Sequence, residues 1–453
     1  MNTQTDKVPP RDIAVKILVL TNLYPPHHAG TYDCRCQIVC EELRALGHEI
    51  HLLTSNYGTK SGQSMPGIDR QLILNGQFGV PKASGFMELK ELEAANNRAL
   101  RDAIEAFKPQ VVFVWSLLGL SKSLIFSLEQ TGLPIAYDVA DDWLVSELRV
   151  DPWLNFWNCE KLPFKEAALR KSLEMSGQRD AWDEKMPTRF DKSVKRMPSL
   201  FTGSGPAPEI EPDTIRTFPF KRIYFCSLAM KERAVQSGYS VNHADVIQPL
   251  IQTELFKGEV KPESAPANKL LVFRNLVEGC GAITALKAFA KVRQTNPDAH
   301  LDFYGLGDSQ YIARLKSMAV QEKLSINVAA INDPLRELPT IFPKYDVYLH
   351  TAEWQEPLSI APLEAMACGL PVIGTQMGGV GSFLVNEDNA LTYVAGDAAN
   401  LTEKIQIVQA YPDFRHKMAL RGQQRVVDGH NINAVMNWIE AYLVDTHAYW
   451  SQL

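Results

Sequence analysis

Short apolar runs, each followed by a stretch of helical periodicity, recur along both halves of the chain. Lys16-Ile-Leu-Val-Leu20 is the first of them, and a loop from Thr21 to Gly30 separates it from Ile38, Val39, Leu43 and Leu46, which recur at helical spacing. Gly47 stands where a helix ends most cheaply in a left-handed residue, and Ile50-His-Leu-Leu-Thr54 resumes as a strand. A strand-helix-strand opening of this kind predicts a parallel sheet with helices on its faces. Val111-Val-Phe-Val114 and Pro134-Ile-Ala-Tyr-Asp138 read as further buried strands, with a helical stretch from Ser121 to Gln130 between them.

The pattern changes at about Asp141. From there to Pro219 the chain is charged, carries Trp143, Trp153, Trp157 and Trp182, and ends in the turn-rich Gly203-Ser-Gly-Pro-Ala-Pro208, which predicts a mostly helical insertion. Strand character returns at Arg222-Ile-Tyr-Phe-Cys226 and Val246-Ile247, and Lys257 to Asn268 has the composition of an interdomain linker. A second alternating series follows, with strands at Leu270 to Phe273, Leu301 to Tyr304, Ile326 to Val328, Asp346 to Leu349 and Pro371 to Gly374. A helix from Ala434 to Leu443, continuing to Trp450, closes the chain. The expected organisation is a Rossmann-like N-terminal domain over 1–258 with the insertion at 141–219, a second such domain over 259–433, and a terminal helix, 434–453, that packs back on the first.

Composition narrows the reading without changing it. A chain of 453 residues, 45% hydrophobic and 22% charged, can fill two cores. A formal charge of −6 gives no global basic field, which argues against nucleic acid as a partner. No apolar run approaches the roughly 20 residues of a membrane helix, and Met1 to Asp12 lacks the apolar core of a secretory signal, so a cytoplasmic chain is expected. Seven scattered cysteines do not form a disulfide framework. Cys34, Cys36 and Cys40 read as small thiols, since the first two would project about 200° apart on a helix and no matching ligand pair follows.

The informative chemistry lies between His350 and Gly379. Asp346-Val-Tyr-Leu-His350 ends a strand at its carboxyl edge, where open α/β sheets place ligands. Pro362 suits a first helical turn, Ser359 suits an N-cap, and Gly369 with Pro371 marks the stop, so a helix is expected from about Ser359. Glu356 then precedes the helix and Glu364 lies within it. Free amides at such a helix start suit a diphosphate, and a carboxylate beside them suits sugar hydroxyls.

The string Glu356-Pro-Leu-Ser-Ile-Ala-Pro-Leu-Glu364-Ala-Met-Ala-Cys-Gly369-Leu-Pro371-Val-Ile-Gly-Thr-Gln-Met-Gly378-Gly379 resembles the signature of family-4 glycosyltransferases. These are retaining enzymes with the GT-B fold, two Rossmann-like doubly wound parallel-sheet domains facing a central cleft. The resemblance implies that Glu356 contacts the transferred sugar near its reacting carbon and that Glu364 binds the ribose. Arg274, just after the Leu270 to Phe273 strand, matches the arginine that binds the donor diphosphate. Val246 to Phe256 looks like the family's interdomain hinge.

Departures from the family pattern are equally specific. No lysine follows Arg274 in Arg274-Asn-Leu-Val-Glu-Gly-Cys-Gly281, where the family has one. The N-terminal loop keeps Gly30 of a usual glycine pair but has Ala29 beside it. Pro357 and Ser359 replace glycines, leaving the Leu358 and Ser359 amides for phosphate. Ala140 stands where the family often has a histidine, and Asp141 or Asp142 is the replacement, with Asp141 the catalytic candidate. Gly305-Leu-Gly307-Asp308 reads equally as a donor-phosphate loop or as a tight turn.

The resemblance implies transfer of a sugar from a nucleotide-diphosphate donor, a co-substrate rather than a cofactor, to a hydroxyl of a glycan, lipid-linked or small-molecule acceptor held by the N-terminal domain. No metal is expected beside the cleft, because no Asp-x-Asp pair is found there. Lys185 to Arg196, with apolar residues interleaved, leaves open a peripheral contact at the inner face of a membrane. The missing lysine and glycines motivate the rival reading, a catalytically weak GT-B regulatory or binding subunit of a glycosyltransferase complex.

Overall fold

The computed structural model describes residues 14–27, 31–59, 65–76, 82, 85–145, 150–159, 161–188 and 220–450. The chain forms two compact units: Met1–Phe225 with Met230–Ile247 and Met436–Leu453, and Cys226–Ala229 with Gln248–Val435.

Unit 1 is built on strands β1 (Lys16–Thr21), β2 (Glu49–Ser55), β3 (Ile68–Leu72), β4 (Val111–Ser116), β5 (Ile135–Val139), β6 (Ile223–Phe225) and β7 (Asp245–Val246), in the order β3-β2-β1-β4-β5-β6-β7. Every pairing is parallel. Helices cover such a sheet on both faces, which is why all six residues of β4 are buried. Helix Thr31–Ala45 ends at Gly47, whose φ of +97° is the left-handed value expected there. β3 and helix Phe86–Phe107 are elements that the apolar pattern did not announce.

The described part of the insertion is helical, with Pro152–Asn158, Phe164–Met175 and Gln178–Asp183. Asp151 caps the first of these by accepting from the Leu154 amide at 3.2 Å. Trp153 and Trp157 are buried against Phe86, with ring centroids 6.2 and 5.8 Å apart. Residues 189–219, which hold the end of the insertion and most of the basic segment read as a membrane contact, lie outside the described residues.

Unit 2 carries β8 (Lys269–Phe273), β9 (His300–Tyr304), β10 (Asn327–Ala329), β11 (Val347–His350), β12 (Val372–Gly374) and β13 (Leu391–Thr392), in the order β10-β9-β8-β11-β12-β13. These pairings are parallel too. The alternation of a strand divides its side chains between two cores. Leu270, Val272, Val347 and Leu349 pack with Leu286, Phe289 and Phe303 on one face. Leu271 and Tyr348 pack with Phe342, Leu363 and Val372 on the other. Full burial of one such phenylalanine is worth about 1.5–3 kcal/mol.

The junction falls at Ile247/Gln248 rather than after 258, and the stretch with linker composition belongs to unit 2. Specific ties hold it there. The buried Arg415 donates to the carbonyls of Glu263 (3.0 Å) and Ala265 (2.6 Å), Lys261 Nζ lies 2.6 Å from Asp346 Oδ1, and the Ile251 amide donates to His430 O at 2.7 Å. Helix Ile432–Trp450 joins unit 1 from Met436 onward. There the Arg222 guanidinium lies 4.1 Å from the Tyr442 ring centroid and His48 Nε2 lies 3.3 Å from Glu440 Oε1.

All seven cysteines are free, and Cys34, Cys36 and Cys40 are buried. Among the described residues no group of three or more His, Cys, Asp or Glu could hold a metal ion, and no helix is long and apolar enough to cross a membrane.

Candidate functional site

The strand order of unit 2 reverses between β8 and β11, the position where open α/β sheets leave room for ligands at strand carboxyl ends. The register Val347↔Leu270 and Tyr348↔Leu271 brings those two ends side by side. Arg274, one residue beyond β8, therefore meets His350, the last residue of β11. Arg274 Nη1 donates to His350 Nδ1 at 3.2 Å, and Nη2 donates to Glu356 Oε1 at 2.5 Å. The two side chains of the ion pair are 5% and 16% exposed, enough burial for geometry to dominate over solvent screening.

A guanidinium can only donate, so His350 Nδ1 accepts and the ring proton sits on Nε2. That nitrogen is 3.8 Å from Glu356 Oε2. Complete burial, and after it the charge of Arg274, hold the imidazole well below its ordinary pKa, so His350 is neutral at physiological pH.

Two glycines shape the backbone around the ion pair. Gly305 follows β9 with φ +138°, and a Cβ there would run into the Arg274 carbonyl. Gly378, at φ +72°, faces the Glu356 carbonyl in the same way, and the Gly379 amide donates to that carbonyl at 2.9 Å. Both positions need glycine for conformation and for space. Gly307 lies against the Leu276 carbonyl, and Leu276 and Gly307 form a bridge. The observed contribution of Gly305-Leu-Gly307 is thus a tight approach to the backbone that carries Arg274.

The helix after Glu356 spans Ala361–Ala367, with Ile360 at its cap and no side-chain capping bond. It starts later than the Ser359 cap would require, and Ser359 and Leu358 are half-buried in the preceding loop. Pro362 occupies the first turn as expected. Glu364 is 1% exposed, and burial pushes its carboxyl up to about 8. The Tyr348 hydroxyl donates to Phe273 O at 3.2 Å and, beyond its burial, lies within electrostatic range of Arg274, Glu356 and Glu364. Arg274 Nε, His350 Nε2, Glu356 Oε2 and Glu364 Oε2 are all buried without a hydrogen-bond partner. Each such group costs about 1–3 kcal/mol, and a polar ligand that partnered them would recover it.

The pKa of Glu364 gives a stability prediction with a definite sign. Its folded value lies above that of an unfolded glutamate, about 4.3. The folded state therefore binds the extra proton, and the contribution of Glu364 to stability is most favourable below about pH 4 and declines as pH climbs towards about 8. Glu364→Gln removes this dependence. Between pH 5 and pH 9 the Tm of the native protein should fall relative to the variant; parallel Tm profiles would show that Glu364 is not held neutral.

Asp141 belongs to unit 1 and is not part of the Arg274 cluster. It accepts from Ser116 Oγ at 2.7 Å and from the Trp143 amide at 2.8 Å, yet burial pushes it up to about 7. Its neighbour Asp142 is held by Arg233 at 3.0 Å. Gly30 lies outside the described residues. Sequence reasoning did not assign His350 or Tyr348. The available signal for His350 is a polar side chain closing an otherwise apolar strand at its carboxyl edge.

Two parallel-sheet α/β units, the second with this cluster at its strand-order reversal, define the class: the chain has the GT-B fold. Sucrose-phosphate synthase from Thermosynechococcus elongatus superposes with a TM-score of 0.64 at 15% identity, covering 96% of this chain and 100% of that one. HepE from Anabaena, in complex with UDP-glucose, gives 0.62 at 15% identity, with 95% and 100% covered. Residues 255–425 match the family model described as "Glycosyl transferases group 1". The segment contains Arg274, Gly305, His350, Glu356, Leu358, Ser359 and Glu364. Spore coat protein SA of Bacillus subtilis (strain 168) is 30% identical over 100 residues, 21% of this chain and 26% of that protein. The chain spans less than half the length of the curated relatives it matches, from 26% to 44%.

Proposed function

We propose that this protein is a retaining glycosyltransferase that moves a sugar from a nucleotide-diphosphate donor to a hydroxyl of a glycan, lipid-linked or small-molecule acceptor. The observation that carries the reading is the buried Arg274–Glu356 pair at 2.5 Å, with the open carboxyl of Glu364 close by, inside the segment that matches the family. HepE, of the same fold, is seen with UDP-glucose, which supports a nucleotide sugar as the donor class.

In this reading Arg274 keeps unspent N–H donors, Nε among them, for the diphosphate while Nη2 holds Glu356. Glu356 Oε2 accepts from a sugar hydroxyl, and Glu364 accepts from the ribose. The acceptor hydroxyl attacks the anomeric carbon on the face from which the diphosphate leaves. The C–O bond to the diphosphate breaks as the new one forms, and the hydroxyl proton passes to a diphosphate oxygen. Arg274 stabilises the charge that develops on the leaving group. Unit 1 takes the acceptor.

The test incubates the full chain with UDP-glucose, GDP-mannose, ADP-glucose and dTDP-glucose, and measures nucleotide release together with the binding of each nucleoside diphosphate. Release with at least one donor is expected, and it should fall in Glu356→Ala. Binding without release under any acceptor condition would favour the regulatory-subunit reading. Failure to bind any of the four nucleotides would sink the donor-site assignment.

A further inference from the structure

We propose that His350 is the positioning residue of the donor site, a single ring that sets Arg274 and Glu356 in register with each other. The proposal rests on the donor-site reading above and adds a residue that the Glu356-to-Gly379 signature does not include.

His350 is 0% exposed and lies at the end of β11, paired with Gly374 of β12. A Cβ at Gly374 would press on the His350 Cβ, so the neighbouring strand leaves room for the imidazole. The ring's two nitrogens face the two members of the ion pair. Nδ1 takes one Nη1 hydrogen of Arg274, and Nε2 lies 3.8 Å from Glu356 Oε2. With Nη1 held by His350 and Nη2 by Glu356, the guanidinium plane is fixed from two sides, and its Nε–H stays unspent.

A cationic residue at position 350 would repel Arg274, and an aliphatic one would leave Nη1 without its partner. The neutral imidazole does neither, because burial and the adjacent guanidinium hold it in that form. The approach of Nε2–H to Glu356 Oε2 is longer than a hydrogen bond in this structure. A modest closing of that gap when a sugar hydroxyl engages Glu356 would let His350 donate to the carboxylate. His350 itself does not touch the reacting atoms. It acts through Arg274 and Glu356, so its loss should act on turnover more than on binding.

The experiment has a structural and a kinetic arm. In ¹⁵N-histidine-labelled full chain at neutral pH, the His350 resonance, assigned by its loss in His350→Asn, should show a protonated Nε2 and an unprotonated Nδ1. Arg274→Gln should move the Nδ1 signal. An Nδ1-protonated ring, or no response to Arg274→Gln, would overturn the proposal without any donor being present.

The kinetic arm uses whichever of the four nucleotide sugars the native protein turns over. His350→Leu is expected to lower kcat about 10- to 100-fold with KM changed less than about threefold. His350→Asn, whose amide oxygen can stand near Nδ1 and accept from Arg274, should recover most of kcat; His350→Gln, which mimics the Nε2 position, should recover less. Native kcat in His350→Leu, or better rescue by Gln than by Asn, would overturn the positioning role. A native protein that neither binds nor turns over any of the four donors would instead overturn the donor-site reading, with the NMR result still deciding the pairing.

Discussion

Arg274→Ala is expected to lower kcat/KM for donor turnover by about 10²–10³-fold, equivalent to roughly 3–4 kcal/mol of transition-state stabilisation. Arg274 is the cation of the Arg274, His350, Glu356 and Glu364 cluster, and two partners fix its orientation at 3.2 and 2.5 Å. In the proposed mechanism, truncation removes the charge that would face the leaving diphosphate. It also strips Nδ1 of His350 and Oε1 of Glu356 of their partner. Breaking a buried pair in this way costs stability as well, about 3 kcal/mol. Turnover should therefore be measured at a temperature where circular dichroism shows the variant folded. Arg274→Lys keeps the charge without the planar fork and should fall between alanine and native. Activity of the alanine variant within about threefold of native would remove Arg274 from the mechanism.

Glu356→Gln is expected to lower kcat by about 10²-fold, a loss typical of one polar contact that strengthens in the transition state. The amide oxygen can still accept from Arg274 Nη2, so folding should survive; the full carboxylate charge next to the sugar does not. The size of the effect separates two routes to retention. A covalent nucleophile replaced by an amide would cost about 10⁴-fold or more, and the truncated Glu356→Ala would regain rate with azide. Front-face attack predicts the smaller loss and no azide rescue. Because Glu356 and Arg274 touch, the double variant Arg274→Ala/Glu356→Gln should lose less than the product of the two single effects.

Much of the fold was legible because its central strands are short apolar runs buried on both faces. Val111 to Ser116 is buried throughout, and its sequence is almost wholly apolar. β3 hid for the opposite reason. As Ile-Asp-Arg-Gln-Leu at the sheet edge, it sends Asp69 to His51 at 2.9 Å and Arg70 to the Tyr24 carbonyl at 3.1 Å, so polar side chains serve where a pattern search expects apolar ones. Helix Phe86–Phe107 buries Glu93, Asn96 and Asn97 beside Leu89 and Leu100, which blurs its apolar stripe. The stretch 257–268 has linker composition but is tied down by Arg415 and Asp346, contacts that only the fold supplies.

At the site, Glu356, Glu364 and Arg274 were candidates through the resemblance of their surroundings to the family signature. The partnership of Arg274 with His350 could not, because it spans 76 positions and depends on the β8–β11 register. Ser359 is a good capping residue by type, yet the helix takes its first turn from Ala361 and Pro362, leaving Ser359 in the loop. Gly305 fitted a phosphate loop as well as a turn; its φ of +138° and its closeness to the Arg274 carbonyl show what the glycine does locally.

The most direct measurement is a crystal structure of the full chain with a bound nucleoside diphosphate chosen from the four-donor panel. The expected result puts the diphosphate within hydrogen-bond reach of the Arg274 guanidinium and the ribose hydroxyls on the Glu364 carboxyl, with the Arg274–His350 contact kept. A nucleotide seated elsewhere, with Arg274, Glu356 and Glu364 all untouched, would contradict the assignment of these residues to the donor site.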